Sequence, residues 1–165
     1  MHMSYEVTAT RRRPRTFDQL VGQEFVVATL KKSIESGRIA HAFLFSGPRG
    51  VGKTSAARVL AKALNCPDGP SAEACDDYDG AEEIARGTAL DVIEIDGASN
   101  TGVNDVRQIK DEVLFAPNSS RYKIYIIDEV HMLSTSAFMS VSGVPMNTVS
   151  FATTTTVSSR VTTTN

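Results

Sequence analysis

Long apolar runs are absent from this chain of 165 residues. None approaches the roughly 20 residues that a membrane-spanning helix needs, and the first residues, MHMSYEVTATRRRPRT, lack the apolar core of a secretion signal. We therefore expect a cytoplasmic protein with no membrane partner. With 41% hydrophobic residues, a chain of this length can bury one sizeable core, so we expect one domain.

Cysteine is also scarce, since the sequence contains only Cys66 and Cys75. Two cysteines are too few for a disulfide framework of the kind that stabilises small secreted domains. This count fits a reducing compartment. A bond between the two cysteines is expected only if the chain becomes oxidised.

The net charge of -2 conceals a strong asymmetry along the chain. Residues 1–65 carry 11 Lys or Arg against 4 Asp or Glu, whereas residues 66–96 carry 1 against 10. The basic part suits an anionic ligand, and the acidic part suits solvent or a basic neighbour. Ordinary solvated faces explain the same pattern equally well.

The hydrophobic pattern predicts strands that alternate with helices. Apolar runs indicate strands over 41–46, 89–96 and 121–128. Helical spacing indicates helices over 53–65 and 104–115, and an earlier helix that is entered from TFDQLVGQ and ends near Gly37. Such alternation predicts an α/β fold with a parallel sheet and helices on both of its faces.

A glycine-rich turn between the first strand and the next helix has the spacing of a phosphate-binding loop. The stretch GPRGVGKT fits G-x-x-x-x-G-K-[ST] completely. Glycines let the backbone close around phosphates, and the amides at the helix start attract negative charge. We expect Lys53 to reach the β- and γ-phosphates of a nucleotide and the Thr54 hydroxyl to bind Mg²⁺. The predicted nucleotide-binding residues here are Gly47, Pro48, Arg49, Gly50, Val51, Gly52, Lys53, Thr54 and Ser55.

An acidic pair follows the strand predicted over 121–128. Open α/β sheets bind their ligands at the carboxyl ends of the strands, which is where Asp128 and Glu129 stand. We expect Asp128 to hold the Mg²⁺ shell and Glu129 to act as the general base on the attacking water. A phosphate loop with this pair predicts hydrolysis of the bound nucleotide, beyond binding alone.

Taken together, these stretches resemble the AAA+ ATPase module of the tau/gamma subunit of bacterial DNA polymerase III, the motor of the clamp loader. The resemblance rests on GRIAHAFLFSGPRGVGKTSAARVLAKALNC and YKIYIIDEVHMLSTSAF, with RRRPRTFDQLVGQ upstream and DVIEIDGASNTGVNDVRQIKDEV between them. It runs from about Tyr5 to Phe138. It implies a doubly wound P-loop NTPase fold, with residues 1–138 as the AAA+ nucleotide-binding domain.

The resemblance also implies a function and partners. ATP binding and hydrolysis would drive the loading of a ring-shaped sliding clamp onto primed DNA during replication. The implied partners are other clamp-loader subunits, the clamp, primed DNA and the polymerase core, in a homo- or hetero-oligomer. Two alternatives stay open: another AAA+ machine, such as a helicase loader or a branch-migration motor, and a nucleotide-binding assembly subunit that never hydrolyses.

Further residues receive roles from the resemblance. Arg13 and Pro14 fall in the family's stretch beside the adenine, so the cluster Arg11, Arg12, Arg13 and Arg15 is interpreted as nucleotide pocket and flank rather than as a DNA-binding arm. GASNTGVNDVR precedes a helix that faces DNA in clamp loaders, and its amides are candidates to hold a phosphate without reading bases. A plain capped helix fits that stretch equally well.

A small cysteine-bearing insertion, residues 66–87, departs from the family pattern. Relatives carry a four-cysteine zinc module whose pattern places ligands at positions occupied here by Cys66, Cys75, Tyr78 and Ala81. A structural zinc site needs four ligands in a closed tetrahedron, and neither tyrosine nor alanine replaces a thiolate well. We expect this remnant to keep its shape through packing, with zinc weak or absent.

The last 27 residues, 139–165, form a second departure. They contain 13 Ser or Thr, no Leu and no acidic residue. By resemblance, SFATTTT makes Thr154 a candidate sensor of the γ-phosphate and SSR makes Arg160 a candidate arginine finger in trans, although the spacing is several residues short for both. The resemblance implies a helical lid and a collar domain in the intact protein, and we expect both to lie outside these 165 residues. We therefore expect this chain alone to bind nucleotide but to be a poor ATPase.

Overall fold

A parallel β-sheet forms the centre of the fold in the computed structural model, which describes residues 13–73, 75–99, 115–130 and 148–154. The strands are β1 (Ala42–Ser46), β2 (Val92–Asp96), β3 (Lys123–Asp128) and β4 (Thr148–Thr154). The helices are α1 (Glu24–Glu35), α2 (Lys53–Leu64) and α3 (Asp79–Arg86), and a 3₁₀ turn over Phe17–Gln19 precedes α1. None of these helices is both long and apolar enough to cross a membrane.

The order of the strands across the sheet is β1-β4-β3-β2, and every neighbouring pair is parallel. The register pairs Asp96 with Asp128 and Ile127 with Ala152. The carboxyl ends of β2, β3 and β4 therefore meet at one edge of the sheet, directly beside the loop that follows β1.

The core is thickest on the face that carries the three helices. Successive side chains of a strand point to opposite faces, so Ile124 and Ile126 join the helices while Tyr125 and Ile127 join a smaller cluster with Ile95. Both sets are buried, as expected for a central strand of a parallel sheet.

The predicted strand–helix alternation is confirmed where residues are described, with shorter strands. β3 starts at Lys123 rather than at 121 because the backbone of Tyr122 is bonded to the Asn65 side chain: its carbonyl accepts at 3.1 Å and its amide donates at 2.8 Å. β2 starts at Val92 rather than at 89, since residues 90–91 form a turn that ends at the buried Asp91. The helix predicted over 104–115 lies outside the described residues except for Phe115, so coverage of the second face stays a prediction.

The acidic insertion packs on the basic part of the chain. Two carboxylates of the insertion pair with basic residues: Glu82 with Arg15 at 3.0 Å, and Asp76 with Lys62. A further ion pair, Arg58 with Glu94, joins α2 to β2. The side chains of Arg58 and Lys62 are 12% and 4% exposed, so these two pairs are largely withdrawn from solvent. Part of the charge asymmetry is thus neutralised within the molecule.

Candidate functional site

The loop between β1 and α2 wraps the start of α2. Gly50 and Gly52 have φ of 82° and 93°, a left-handed conformation that side-chain-bearing residues rarely adopt. Gly52 is the N-cap of α2, and its carbonyl receives the amide of Ala56 at 2.8 Å. The first amides of α2 have no partner further back in the helix, so this end favours an anion.

Lys53 is the first residue of α2, and its ammonium lies inside the curve of the loop. The Nζ atom donates to the carbonyl of Gly47 at 3.0 Å and to that of Pro48 at 3.1 Å. The loop carbonyls thus hold the cation where phosphate oxygens would approach it. An incoming phosphate exchanges carbonyl dipoles for full negative charge, which is a stronger partner for an ammonium.

Thr54 and Asp128 meet across the sheet edge although they are 74 positions apart. The Thr54 hydroxyl donates to Asp128 Oδ2 at 3.0 Å. A hydroxyl and a carboxylate are oxygen ligands of the kind that Mg²⁺ prefers, and Mg²⁺ is commonly held by few protein oxygens together with substrate phosphates. The pair therefore fits a magnesium ion beside a nucleotide.

Glu129 follows Asp128 and turns toward the same cavity. Its side chain is 17% exposed, and Oε1 lies 4.0 Å from the guanidinium of Arg49, whose own side chain is 87% exposed. An ion pair with such an exposed arginine contributes little to stability. Glu129 is thus sheltered but still faces the space that a nucleotide and its water would occupy.

One open cavity of about 500 Å³ collects these groups. Its lining residues are Arg13, Arg49, Gly50, Gly52, Lys53, Thr54, Ser55, Asp96, Ala98, Asp128 and Glu129. Gly47, Pro48 and Val51 instead line an apolar cavity beneath the loop, and Pro14 lines a small cleft with Arg13 and Ser55. The size, the amides and the Thr54–Asp128 pair fit ATP with Mg²⁺.

The structure also places the remaining candidates from the sequence. Arg13 lines the cavity, whereas the Arg15 guanidinium donates to Glu82. The expected place of Arg13 beside the adenine stays a prediction. Arg11, Arg12, Arg160 and the side chain of Thr154 lie outside the described residues, so their proposed roles stay predictions.

Sequence reasoning missed Thr153. It is completely buried, and its hydroxyl donates to Asp128 Oδ1. The register of β3 and β4 is the signal that points to Thr153. Ile127 pairs with Ala152, so Asp128 and Thr153, which follow them, stand opposite each other. Four consecutive threonines, 153–156, hide that register in the sequence.

The turn after β2 was also missed as part of the site. The Gly97 amide donates to the Asp128 carbonyl at 2.8 Å, and Asp96 accepts from the Ser99 hydroxyl and the Ala98 amide. These two hydrogen bonds, led by that of Ser99, lower the pKa of Asp96. The turn therefore presents a carboxylate at the rim of the cavity and packs on the backbone that precedes Glu129.

The residues at the four positions of the zinc pattern do not fit a structural zinc site. Cys66 and Cys75 form a disulfide with Cα atoms 6.0 Å apart, and Ala81 is buried without a ligand atom. Burial, and then the charge of Asp76, raise the pKa of Tyr78 to about 12, so its phenol stays protonated and donates to the Lys62 carbonyl at 3.2 Å. Within the described ranges, no group of three or more His, Cys, Asp and Glu could hold a metal ion.

A family model described as DNA polymerase III, delta subunit, matches residues 22–141. This chain belongs to that family. The tau subunit of Escherichia coli K12 is 54% identical over 136 residues, which are 82% of this chain and 21% of that protein. The tau subunit of Bacillus subtilis 168 is 51% identical over 136 residues, with 82% of this chain and 24% of that protein covered. The resemblance to tau/gamma subunits inferred from the sequence is therefore confirmed.

The chain spans about a quarter or less of the length of these two relatives. A gamma subunit-related protein from Thermotoga maritima, solved by crystallography, aligns with a TM-score of 0.46 at 20% identity and covers 78% of this chain and 38% of that chain. At that level the structural likeness adds nothing to the family assignment.

Proposed function

We propose that this chain is the ATP-binding and ATP-hydrolysing module of a clamp-loader motor subunit, which uses ATP to load the sliding clamp onto primed DNA. The observation that carries the proposal is the 3.0 Å hydrogen bond between Thr54 and Asp128, because it joins the phosphate loop to the acidic pair. The high identity to tau subunits supports the clamp-loading role.

The residues of the site divide the work of phosphoryl transfer. The amides at the start of α2 and the Lys53 ammonium would bind the phosphates, and Thr54 with Asp128 would hold Mg²⁺. Mg²⁺ bound there would neutralise the charge that develops on the phosphate oxygens. Glu129 accepts a proton from the attacking water as general base. Arg13 lies on the same cavity, where it suits contact with the nucleotide.

The partners proposed for the intact protein are other clamp-loader subunits, the sliding clamp, primed DNA and the polymerase core. We expect the 165-residue chain by itself to bind nucleotide yet to hydrolyse it slowly. An arginine finger supplied in trans contributes about 10³ to 10⁵ in rate, and the assigned candidate, Arg160, would act on a neighbour's site rather than on its own.

Replacing Glu129 with Gln in the intact motor tests the hydrolytic step. Gln has nearly the same size but no basic carboxylate, so the variant should bind Mg-ATP normally and turn over at least 10²-fold more slowly. Steady-state phosphate release with clamp and primed DNA measures the rate, and calorimetry measures the affinity. An exposed glutamate on α1, changed as Glu35→Gln, serves as the control.

Full turnover by the Glu129→Gln motor would place the base elsewhere. Wild-type protein that binds ATP but never hydrolyses it, even with its partners, would favour the alternative of a nucleotide-binding assembly subunit.

A further inference from the structure

The hydroxyl of Thr153 contacts both members of the acidic pair at once. It donates to Asp128 Oδ1 and accepts from the Glu129 amide at 3.2 Å. The same amide also donates to Asp128 Oδ1 at 3.0 Å. Because Thr153 has no exposed surface, water does not compete for these bonds.

The carboxylate of Asp128 is consequently held at both of its oxygens. Oδ2 receives the Thr54 hydroxyl and Oδ1 receives the Thr153 hydroxyl. The first bond comes from the phosphate loop and the second from the end of β4. A carboxylate fixed from two sides cannot rotate without breaking a hydrogen bond, which sets the direction in which it meets a metal ion.

Glu129 has an unusual backbone conformation at this point. Its φ of 51° makes it the one non-glycine residue with positive φ among the described residues. Such a conformation persists where the surroundings determine it, and it clusters at functional sites. Here the Glu129 amide is bound to Thr153 and Asp128. Those two hydrogen bonds fix the direction of the backbone at Glu129, directly after the end of β3.

We propose that Thr153 is a positioning residue for ATP hydrolysis, one that orients the Asp128 carboxylate and fixes the backbone of Glu129 through its single hydroxyl. The proposal rests on the function proposed above. Thr153 lies behind Asp128 and need not touch the nucleotide, so its loss should slow the chemical step while leaving the affinity for nucleotide nearly intact.

The alternative is that Thr153 only fills space in the core. Thr153→Val separates the two readings, because valine keeps the shape and the β-branch but removes the hydroxyl. Thr153→Ser is the matched variant, since it keeps the hydroxyl and loses only the methyl group. Both are made in the full-length protein that carries this chain and assembled with its partner subunits.

We expect Thr153→Val to lower kcat at least tenfold while the dissociation constant of Mg-ATP changes less than threefold. Thr153→Ser should recover most of that loss, with a kcat at least fivefold above that of the valine variant. Thermal unfolding of each variant checks that the folded fraction is the same. If the valine variant does not fold, Thr153→Ala and Thr153→Ser are compared instead, as both lack the methyl group and differ only in the hydroxyl.

A valine variant with wild-type kcat, or a serine variant as slow as the valine or alanine variant, would overturn the positioning role. Wild type and Glu129→Gln are measured beside them. If wild type turns over, Glu129→Gln is inactive and Thr153→Val is as fast as wild type, this inference fails while the proposed function stands. If wild type does not hydrolyse ATP at all, both are overturned.

Discussion

At the scale of single residues, the site depends on close backbone packing as much as on charged groups. Gly97 is the clearest case, because an added Cβ would lie 2.8 Å from the carbonyl oxygens of both Asp128 and Glu129. No real Cβ approaches a backbone oxygen so closely, so the turn or the strand end would have to move. The turn after β2 can therefore pack against the backbone of Asp128 and Glu129 only with glycine at this position.

Replacing Gly97 with Ala should destabilise the fold by about 1–3 kcal/mol, the usual range for overpacking, and should also slow ATP turnover. Urea denaturation measures the stability. Ala98→Ser adds one heavy atom to the neighbouring exposed residue and should change the stability by less than about 0.5 kcal/mol. Equal stability of Gly97→Ala and wild type would show that the turn is free to shift.

Residue identity alone explains only part of the site. Lys53, Thr54, Asp128 and Glu129 were predicted because each belongs to a motif with fixed local spacing. Thr153 was not, since its contact with Asp128 depends on the pairing of two strands that are distant in sequence. A register is set by the whole sheet, and a one-residue slip would present a different threonine.

At the scale of elements, a buried carboxylate binds the backbone of the loop that precedes β3. Asp91 is 3% exposed, and it accepts hydrogen bonds from the amides of Asn118, Ser119 and Ser120 at 2.8, 3.0 and 2.9 Å. Burial alone would raise the pKa of Asp91, but these bonds outweigh it and the pKa is lowered. The folded state therefore stabilises the ionised form of Asp91 relative to the protonated form.

The sign of this shift predicts a dependence of stability on pH. A lowered folded pKa adds stability above the unfolded value of about 3.9, and that stability is lost as pH falls through the folded pKa. Asp91→Asn should reduce the free energy of unfolding by about 1–3 kcal/mol at pH 7, because its NH₂ group would face backbone amides. The difference from wild type should shrink below about pH 4.

Urea denaturation of wild type and Asp91→Asn from pH 7 downward measures this difference. Asp68→Asn, at an exposed position, is the control and should lie within about 0.5 kcal/mol of wild type at pH 7. If the free energies of unfolding of Asp91→Asn and wild type differed by the same amount at every pH, the lowered pKa of Asp91 would be contradicted.

The helix α3 shows what the sequence analysis overlooked at this scale. From the sequence, this stretch is assigned to an insertion defined by its cysteines, and no helix is predicted within it. Yet Asp79 and Glu82 stand in its first turn, Arg86 stands in its last, and Gly87 ends it with φ of 73°. These are ordinary helix start and stop signals. Only eight residues long, the helix also depends on contacts that the sequence does not reveal, such as the burial of Ala81 and Ile84.

At the scale of the whole molecule, the basic first part of the chain forms ion pairs with the acidic part, residues 66–96. Arg15, Arg58 and Lys62 each pair with a carboxylate from residues 66–96. Lys53, by contrast, is held by loop carbonyls beside the cavity proposed to bind nucleotide. Sequence composition left open whether the basic part faces an anionic ligand or solvent. The folded structure separates the cations that pair with carboxylates from Lys53, which is held by loop carbonyls at the cavity.

The most direct test of the account is the affinity of Mg-ATP for wild type and for Lys53→Ala, measured by titration calorimetry. Loss of the ammonium should weaken binding at least tenfold, or about 1.4 kcal/mol. Lys32→Ala, at an exposed position on α1, is the control and should bind as tightly as wild type. Equal affinity of wild type and Lys53→Ala would contradict the account, because it would remove Lys53, and with it the loop before α2, from the nucleotide site.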